Sequence, residues 1–299
     1  MRLTNNILMS NLLTNLTKSE ERSNKLQTQI QTTKLFSKPS EDPAAAAKAY
    51  RYRTQLSKIE QYIKNTEDGM EQLTAQEEAL SSYNELLQRA RELNVQATGV
   101  ALNDENRNAI ATELEQIKSQ MLSLMNTSYN GKYVFSGFQT DQKLVDAKTG
   151  KYAIEIDSNE QIKYEVGTGN PVTINTIGTD VFGEGKTGDK PEAIQIMDNL
   201  ITALKNDGVN IKNHIAEIDK IQESVLSATT DIGARYNRLE TAKTQLEGEE
   251  ANIESYKSIN EDTDIVEAYV KLVSEQSVYQ AALSVGAKII QPTLLDFLR

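Results

Sequence analysis

Residues 211–257 read IKNHIAEIDKIQESVLSATTDIGARYNRLETAKTQLEGEEANIESYK. Within them Ile211, Ile218, Val225, Ile232, Leu239, Leu246 and Ile253 recur every seventh residue without a miss. A strict seven-residue apolar repeat is the seam of a helix that packs lengthwise on others. The companion positions Ile215, Gln222, Thr229, Tyr236, Lys243, Glu250 and Lys257 grow polar, so one wall of the seam is aliphatic and the other wet. At 1.5 Å per residue such a helix runs roughly 70 Å, a length that suits a rod better than a compact globule.

The same rhythm extends in both directions. After the acidic stretch Glu247 to Asp264, which reads as a solvated face, a 4-3 spacing resumes at Ile265, Tyr269, Leu272, Gln276, Tyr279, Leu283, Gly286 and Ile290. Pro292 stops or kinks it before Leu294, Leu295, Phe297 and Leu298. Near the start, Met9, Leu12, Leu16, Ser19, Ser23, Leu26, Ile30 and Thr33 keep the spacing, weakened by hydroxyl residues. Lys38-Pro39-Ser40-Glu41-Asp42-Pro43 then breaks the helix, because each residue before a proline is pushed out of the helical region. Asp42 is a fair N-cap with Pro43 at the first helical position. The next helix carries Leu56, Ile59, Ile63, Thr66, Met70 and Leu73, then Leu80, Tyr83, Leu87 and Ala90. Gly99 to Asp104 is a second break, and Ile110, Leu114, Ile117, Met121 and Leu124 form a third stripe.

The breakers concentrate elsewhere. Nine of the fifteen glycines lie between Gly131 and Gly188, and Pro171 and Pro191 fall in or just after the same stretch. Asn130-Gly131 before Lys132-Tyr133-Val134-Phe135 is a type I′ hairpin signal. Residues 151–156, 161–166 and 172–177 read as short strands. The predicted fold is therefore mainly α with a β insert: a long antiparallel helical bundle or coiled-coil rod built from both chain ends, plus a small β-rich domain. That lobe is expected to be marginal alone and supported where it packs on the helices.

Composition removes several function classes. The chain has 299 residues, no cysteine, no tryptophan and one histidine, at a formal charge of −11. No disulfide is available, and one histidine cannot supply a zinc cluster. The acidic balance argues against a nucleic-acid surface. No secretory signal is expected in the first residues, and no apolar run approaches a membrane span. Gly183-Glu184-Gly185-Lys186-Thr187-Gly188 matches a phosphate-loop pattern literally, yet it follows no parallel strand–helix–strand unit. A P-loop would need glycine at position 180, which is Asp180. It reads as a linker turn, with a nucleotide-binding enzyme as the opposed alternative. His214 is expected on the wet side of its helix, solvated or capping rather than catalytic. Asp141, Asp146, Asp157 and Asn159 lack calcium-loop spacing. No catalytic residue, cofactor or metal is expected.

The seams could bury against one another or be left for other subunits. Polar seam positions at both chain ends favour the second, since such helices gain little from pairing once. The predicted assembly interface comprises Leu12, Leu16, Leu26, Ile30, Leu272, Tyr279, Leu283, Ile290, Leu294, Leu295 and Leu298. Residues 1–40 and 260–299 are expected to be terminal helices that order on assembly, 41–130 and 190–259 a helical rod domain, and 131–189 a β-rich surface domain.

Four segments resemble the hook–filament junction branch of the flagellin superfamily. The turn Pro39, Ser40, Glu41, Asp42, Pro43 resembles its "PS-D-DP" turn. Asn126-Thr127 with Asn130 to Gly137 is similar to its "NT…GxYxFxG" segment. Gly233 to Glu240 resembles "GaRxNRLe", and Leu294 to Arg299 is similar to the "SLLDYL" terminus, with Thr293 for Ser and Phe297 for Tyr. The filament-forming flagellins differ at the turn, which resembles "AKDDAAG", and usually end in "QANQ…LL". The resemblance implies a non-enzymatic structural adaptor joining hook to filament, exported unfolded through the flagellar type III route and extracellular thereafter. It implies self-association in a ring, and as neighbours hook-associated protein 1 on the hook side and flagellin on the filament side. An export chaperone would hold the C-terminal helix.

Overall fold

The computed structural model describes residues 2–99, 104–206 and 213–290. The fold is mainly α with a small β insert. In chain order the elements are α1 (Arg2–Thr32), α2 (Pro43–Gly99), α3 (Asp104–Met125), β1 (Ser128–Tyr129), β2 (Lys132–Tyr133), β3 (Lys163–Glu165), β4 (Pro171–Thr173), α4 (Gly178–Phe182), α5 (Glu192–Lys205), α6 (Asn213–Glu261) and α7 (Ile265–Ile290). They divide into two compact units, Met1–Lys58 with Glu249–Arg299, and Ile59–Gly248.

In the larger unit the heptad row of α6 makes the core, as its spacing predicts. Ile218, Val225, Ile232, Leu239 and Leu246 are all buried. The first four join one continuous cluster with Leu73, Leu80, Tyr83, Leu87 and Leu93 of α2 and with Ile110, Leu114, Ile117 and Met121 of α3. Ile211 lies outside the described residues. The companion row is less wet than its composition suggests: Tyr236 packs on the cluster, and Lys243 reaches Glu67 at 2.7 Å.

The β insert has two separate antiparallel ribbons, β1–β2 and β3–β4. The first is the expected hairpin. Asn130 and Gly131 both sit at positive φ, 50° and 76°, as a type I′ turn requires. Residues 151–156 are not a strand. Tyr152, Ile154 and Ile156 are buried between exposed neighbours, so the alternation reads burial correctly. A ladder also needs a partner strand, and here the pairing stops at one antiparallel bridge, Val145 with Tyr152, while the other bonds go to a turn. Tyr152 N–H donates to Asp189 O, Gly188 N–H to Tyr152 O, and Ala153 N–H to Leu144 O. The insert has no separate core: Phe135, Leu144, Val172 and Phe182 belong to the same cluster as the helices. Phe182 packs tilted at 4.9 Å against Tyr83 of α2 and edge-on at 5.3 Å to Phe135. Burial of the Tyr83 ring pushes its hydroxyl pKa well up.

The smaller unit is built around the break that the two prolines make. α2 starts at Pro43, and the Asp42 carboxylate accepts from Ala44 N–H at 3.1 Å and Ala45 N–H at 2.9 Å. This is the predicted cap, with Pro43 at the position where a missing N–H costs nothing. Asp42→Ala is expected to cost about 1 kcal/mol of local stability. Faster amide exchange at Ala44 to Ala46 would register it, and unchanged exchange would discount the cap.

Candidate assembly interface

α1 and α7 pack on each other in antiparallel fashion. Leu12, Leu16, Leu26 and Ile30 are half-buried along α1, and Ser19 between them is buried. On α7 the inward face is Ala268, Leu272, Glu275, Tyr279, Ala282 and Gly286, all buried or half-buried. Gly286 lets the helices approach closely, since a methyl group at its Cα would lie 2.7 Å from a Leu12 methyl that would have to shift. Midway, Glu275 accepts from Ser19 Oγ at 2.7 Å and from Arg22 at 2.6 Å. Those donors, Arg22 first, hold its carboxyl below the usual range.

The second row of α7 is therefore shifted by one from its predicted place. Ala268, Glu275 and Ala282 take the positions that spacing assigns to Tyr269, Gln276 and Leu283. Small and charged residues do not register as a seam, whereas an exposed tyrosine and leucine do. Leu272 and Tyr279, assigned by spacing to the assembly interface, face α1 within the chain. Leu283 lies on the outer side, 47% exposed. The side chain of Ile290 and all of Leu294, Leu295 and Leu298 lie outside the described residues.

Opposite the inward face, Val266, Tyr269, Val270 and Val273 follow i, i+3, i+4, i+7 spacing and form an apolar strip open to water. Val266 is 74% and Val270 62% exposed, and Ile7, Leu8 and Leu13 of α1 are also uncovered. Single exposed apolar residues are ordinary, but a helical strip of them marks a surface meant to be covered.

At the other end of the pair, the connectors α1–α2 and α6–α7 are clamped together. Lys34 pairs with Asp262 as a β-bridge. Leu35 N–H donates to Glu261 O at 2.7 Å, and Thr263 N–H to Thr33 O at 3.0 Å. Thr33 is held at φ 58°, an uncommon conformation for a β-branched residue. Glu261 is 2% exposed and faces Arg53 at 2.8 Å and Lys34 at 3.5 Å. The acidic run is thus not uniformly a solvated face: its Glu261 is the buried anchor of this corner. Lys34 and then Ser258 hold the Asp262 carboxyl down, and Asp262 raises Lys34.

The pairing carries an acid limit. Glu275 and Asp262 have depressed pKa values in the folded chain, so each contributes stability above the ordinary carboxylate range. That contribution is lost as pH falls through their lowered values. The α1–α7 pair should hold steady from neutrality to about pH 5 and loosen below about pH 4. Glu275→Gln should blunt this response. Helix content of Glu275→Gln falling over the same acid range as the native chain would discard Glu275 as its source.

The remaining sequence candidates are placed elsewhere. The Gly183–Gly188 loop follows α4, a helix, and is filled by its own chain. The Tyr152 hydroxyl donates to Gly183 O at 2.5 Å, and a methyl group at Gly185 would lie 2.7 Å from the Tyr152 ring. Two amides that a phosphate would need are spent: Lys186 N–H on Asp189 and Gly188 N–H on Tyr152 O. His214 is not on the wet side. Its side chain is 13% exposed and Nδ1 lies 2.7 Å from Glu217 in the first turn of α6. Asp146 and Asp157 each bond their own turn, to Lys148 and Thr149 and to Asn159. No helix among the described residues is long and apolar enough to cross a membrane.

Known proteins match this arrangement at both chain ends. Residues 3–140 match the bacterial flagellin N-terminal helical region, and residues 215–298 the bacterial flagellin C-terminal helical region. The chain belongs to the flagellin family. Flagellar hook-associated protein 3 of Salmonella typhimurium is 26% identical over 262 residues, 81% of this chain and 82% of the relative. Flagellin of Bacillus subtilis is 24% identical over 307 residues, 97% of each chain. A solved flagellar hook-associated protein from Vibrio parahaemolyticus superposes with a TM-score of 0.67 at 25% identity, covering 74% of this chain and 99% of that one. The family regions end at residue 140 and resume at 215, so most of the β insert lies between them. The α1–α7 pair, the capped turn at Pro43 and the α6 row all lie inside the family regions.

Proposed function

We propose that this chain is a structural adaptor of the bacterial flagellum that joins hook to filament and performs no catalysis. The observation that carries the reading is the α1–α7 pair, which leaves the strip Val266, Tyr269, Val270 and Val273 exposed. A helix with apolar residues on two opposite faces is complete only when a neighbour covers the second. Covering it contributes about 25 cal/mol per Å² of apolar area. The hook-associated relatives and the Pro39-Ser40-Glu41-Asp42-Pro43 turn support a junction over a filament subunit.

In this reading copies of the chain associate in a ring between hook-associated protein 1 and flagellin. Residues 1–40 and 260–299 gain their full order on assembly, and 41–130 with 190–259 form the rod. Residues 131–189 face outward. The chain leaves the cytoplasm through the flagellar exporter with its C-terminal helix in the care of a chaperone, and it functions outside the cell.

The test is a null strain examined by motility and electron microscopy. Hooks without filaments, with flagellin shed to the medium, are expected. The same result is expected on deleting residues 289–299. Normal filaments on either strain would sink the proposal. Flagellin is the second reading, favoured by the full-length match to the Bacillus subtilis protein. Long filaments formed unaided by purified protein would establish it.

A further inference from the structure

One cleft of the β insert has no part in the assembly reading. It lies between α2 and the insert, has a volume of about 400 Å³, and is walled by the rings of Tyr129, Tyr133, Phe138 and Tyr164. That volume is in the range of small-molecule sites. Among the described residues the ring–ring contacts are Tyr52 with Tyr256, Tyr83 with Phe182, and Phe135 with Phe182. None of the four cleft rings stacks on another; Tyr129, Tyr133 and Tyr164 are half-buried, Tyr129 against the helical core, and Phe138 is the ring most open to a guest. Phe138 is 60% exposed at the rim, although the chain buries its other large aromatic neighbour, Phe135, completely.

Polar side chains stand beside these rings. Asp68 and Gln72 of α2 line the cleft, with Lys132 on β2. Elsewhere in this unit some carboxylates are held in ion pairs, such as Arg91–Asp219 and Lys118–Asp198. No such pair involves Asp68 or Lys132 among the described residues. Tyr129 is the exception in the cleft, since its hydroxyl donates to Glu71 outside it.

We propose that this cleft is a binding site for a neutral oligosaccharide. Pyranose rings present apolar C–H faces and a rim of hydroxyls, which match partly exposed aromatic rings, Phe138 foremost, flanked by a carboxylate, an amide and an ammonium group. Asp68 and Lys132 offset each other, which argues against a cationic side chain or an anionic sugar as guest. The cleft belongs to the larger unit and the α1–α7 pair to the smaller, so the proposal stands or falls independently of the hook–filament reading.

The test is ligand-observed saturation-transfer NMR on the full chain with maltotriose, lactose and tri-N-acetylchitotriose. Phe138→Ala and Asp68→Asn are the variants, because both side chains are exposed and the fold does not rest on them. At least one sugar should show transfer, and both variants should weaken its binding tenfold or more with unchanged circular dichroism. Transfer from none of the three sugars at 20 mM overturns the proposal. So does binding that neither variant alters, which would place the sugar elsewhere. A proline-rich peptide that binds the native chain and loses binding in Phe138→Ala, with no sugar competing, would make the cleft a peptide groove and equally overturn it.

Discussion

Replacing both cations that face Glu261, as Lys34→Met with Arg53→Met, is expected to destabilise the smaller unit by about 3 kcal/mol. The reason is an asymmetry. Glu261 is the buried member, at 2% exposed, whereas Lys34 is 36% and Arg53 63% exposed. Removing the cations leaves a carboxylate out of water with no counter-charge, the costly half of breaking such a pair. The estimate sits at the low end of the usual range because each cation already keeps part of its hydration. The opposite change is expected to be nearly neutral. Glu261→Met removes the charge and its burial cost together, and it also removes Oε1, which has no hydrogen-bond partner. Hydrogen exchange at Leu35 and Thr263 reads the clamp directly, since these amides bridge the two connectors. Exchange should rise roughly a hundredfold in the double variant, about 3 kcal/mol on the tenfold-per-1.4 kcal/mol scale, and hardly at all in Glu261→Met. Equal exchange in both variants would mean that backbone pairing, not charge, holds the corner.

This corner also marks what sequence can and cannot show. The α6 row was legible because seven-residue spacing of aliphatic side chains has one physical solution, a buried stripe, and Ile218 to Leu246 occupy it. The Asp42–Pro43 start of α2 was legible because capping and proline sterics are local. Glu261 was not: in a run of glutamates and aspartates nothing local distinguishes the one whose neighbours arrive from residues 34 and 53. The face of α7 that meets α1 was not legible for a related reason. Spacing alone placed Tyr269 and Leu283 in the seam, while Ala268, Glu275 and Ala282 meet α1, because Glu275 finds Ser19 and Arg22 there. Residues 151–156 alternate as a strand does, yet they pair only through a single bridge to Val145 and through bonds to the turn at 188–189. The aromatic cleft was invisible because its walls come from α2, the first hairpin and β3, which are distant in sequence.

Val266→Asp with Val270→Asp is expected to separate folding from assembly. Both side chains point to water, at 74% and 62% exposed, so the isolated chain loses no packing. Valine and aspartate also rank close in helix propensity, so α7 itself should persist. Melting of the purified variant should match the native chain within about 0.5 kcal/mol, as for most surface changes. In an assembly that covers this strip the same two residues would bury carboxylates against apolar neighbours, several kcal/mol against each contact. Cells carrying the variant should have at least tenfold fewer filaments and shed flagellin. Leu272→Asp is the control of opposite sign: it strikes the α1-facing side and should destabilise the isolated pair by about 2 kcal/mol. If Val266→Asp with Val270→Asp swims and bears filaments normally, the outer strip of α7 is not where neighbouring subunits meet. The interface must then lie on the chain-end residues beyond 290 or on α1. If instead that variant fails to fold, the strip is covered within the chain itself, and its exposure in the monomer is refuted along with the role assigned to it.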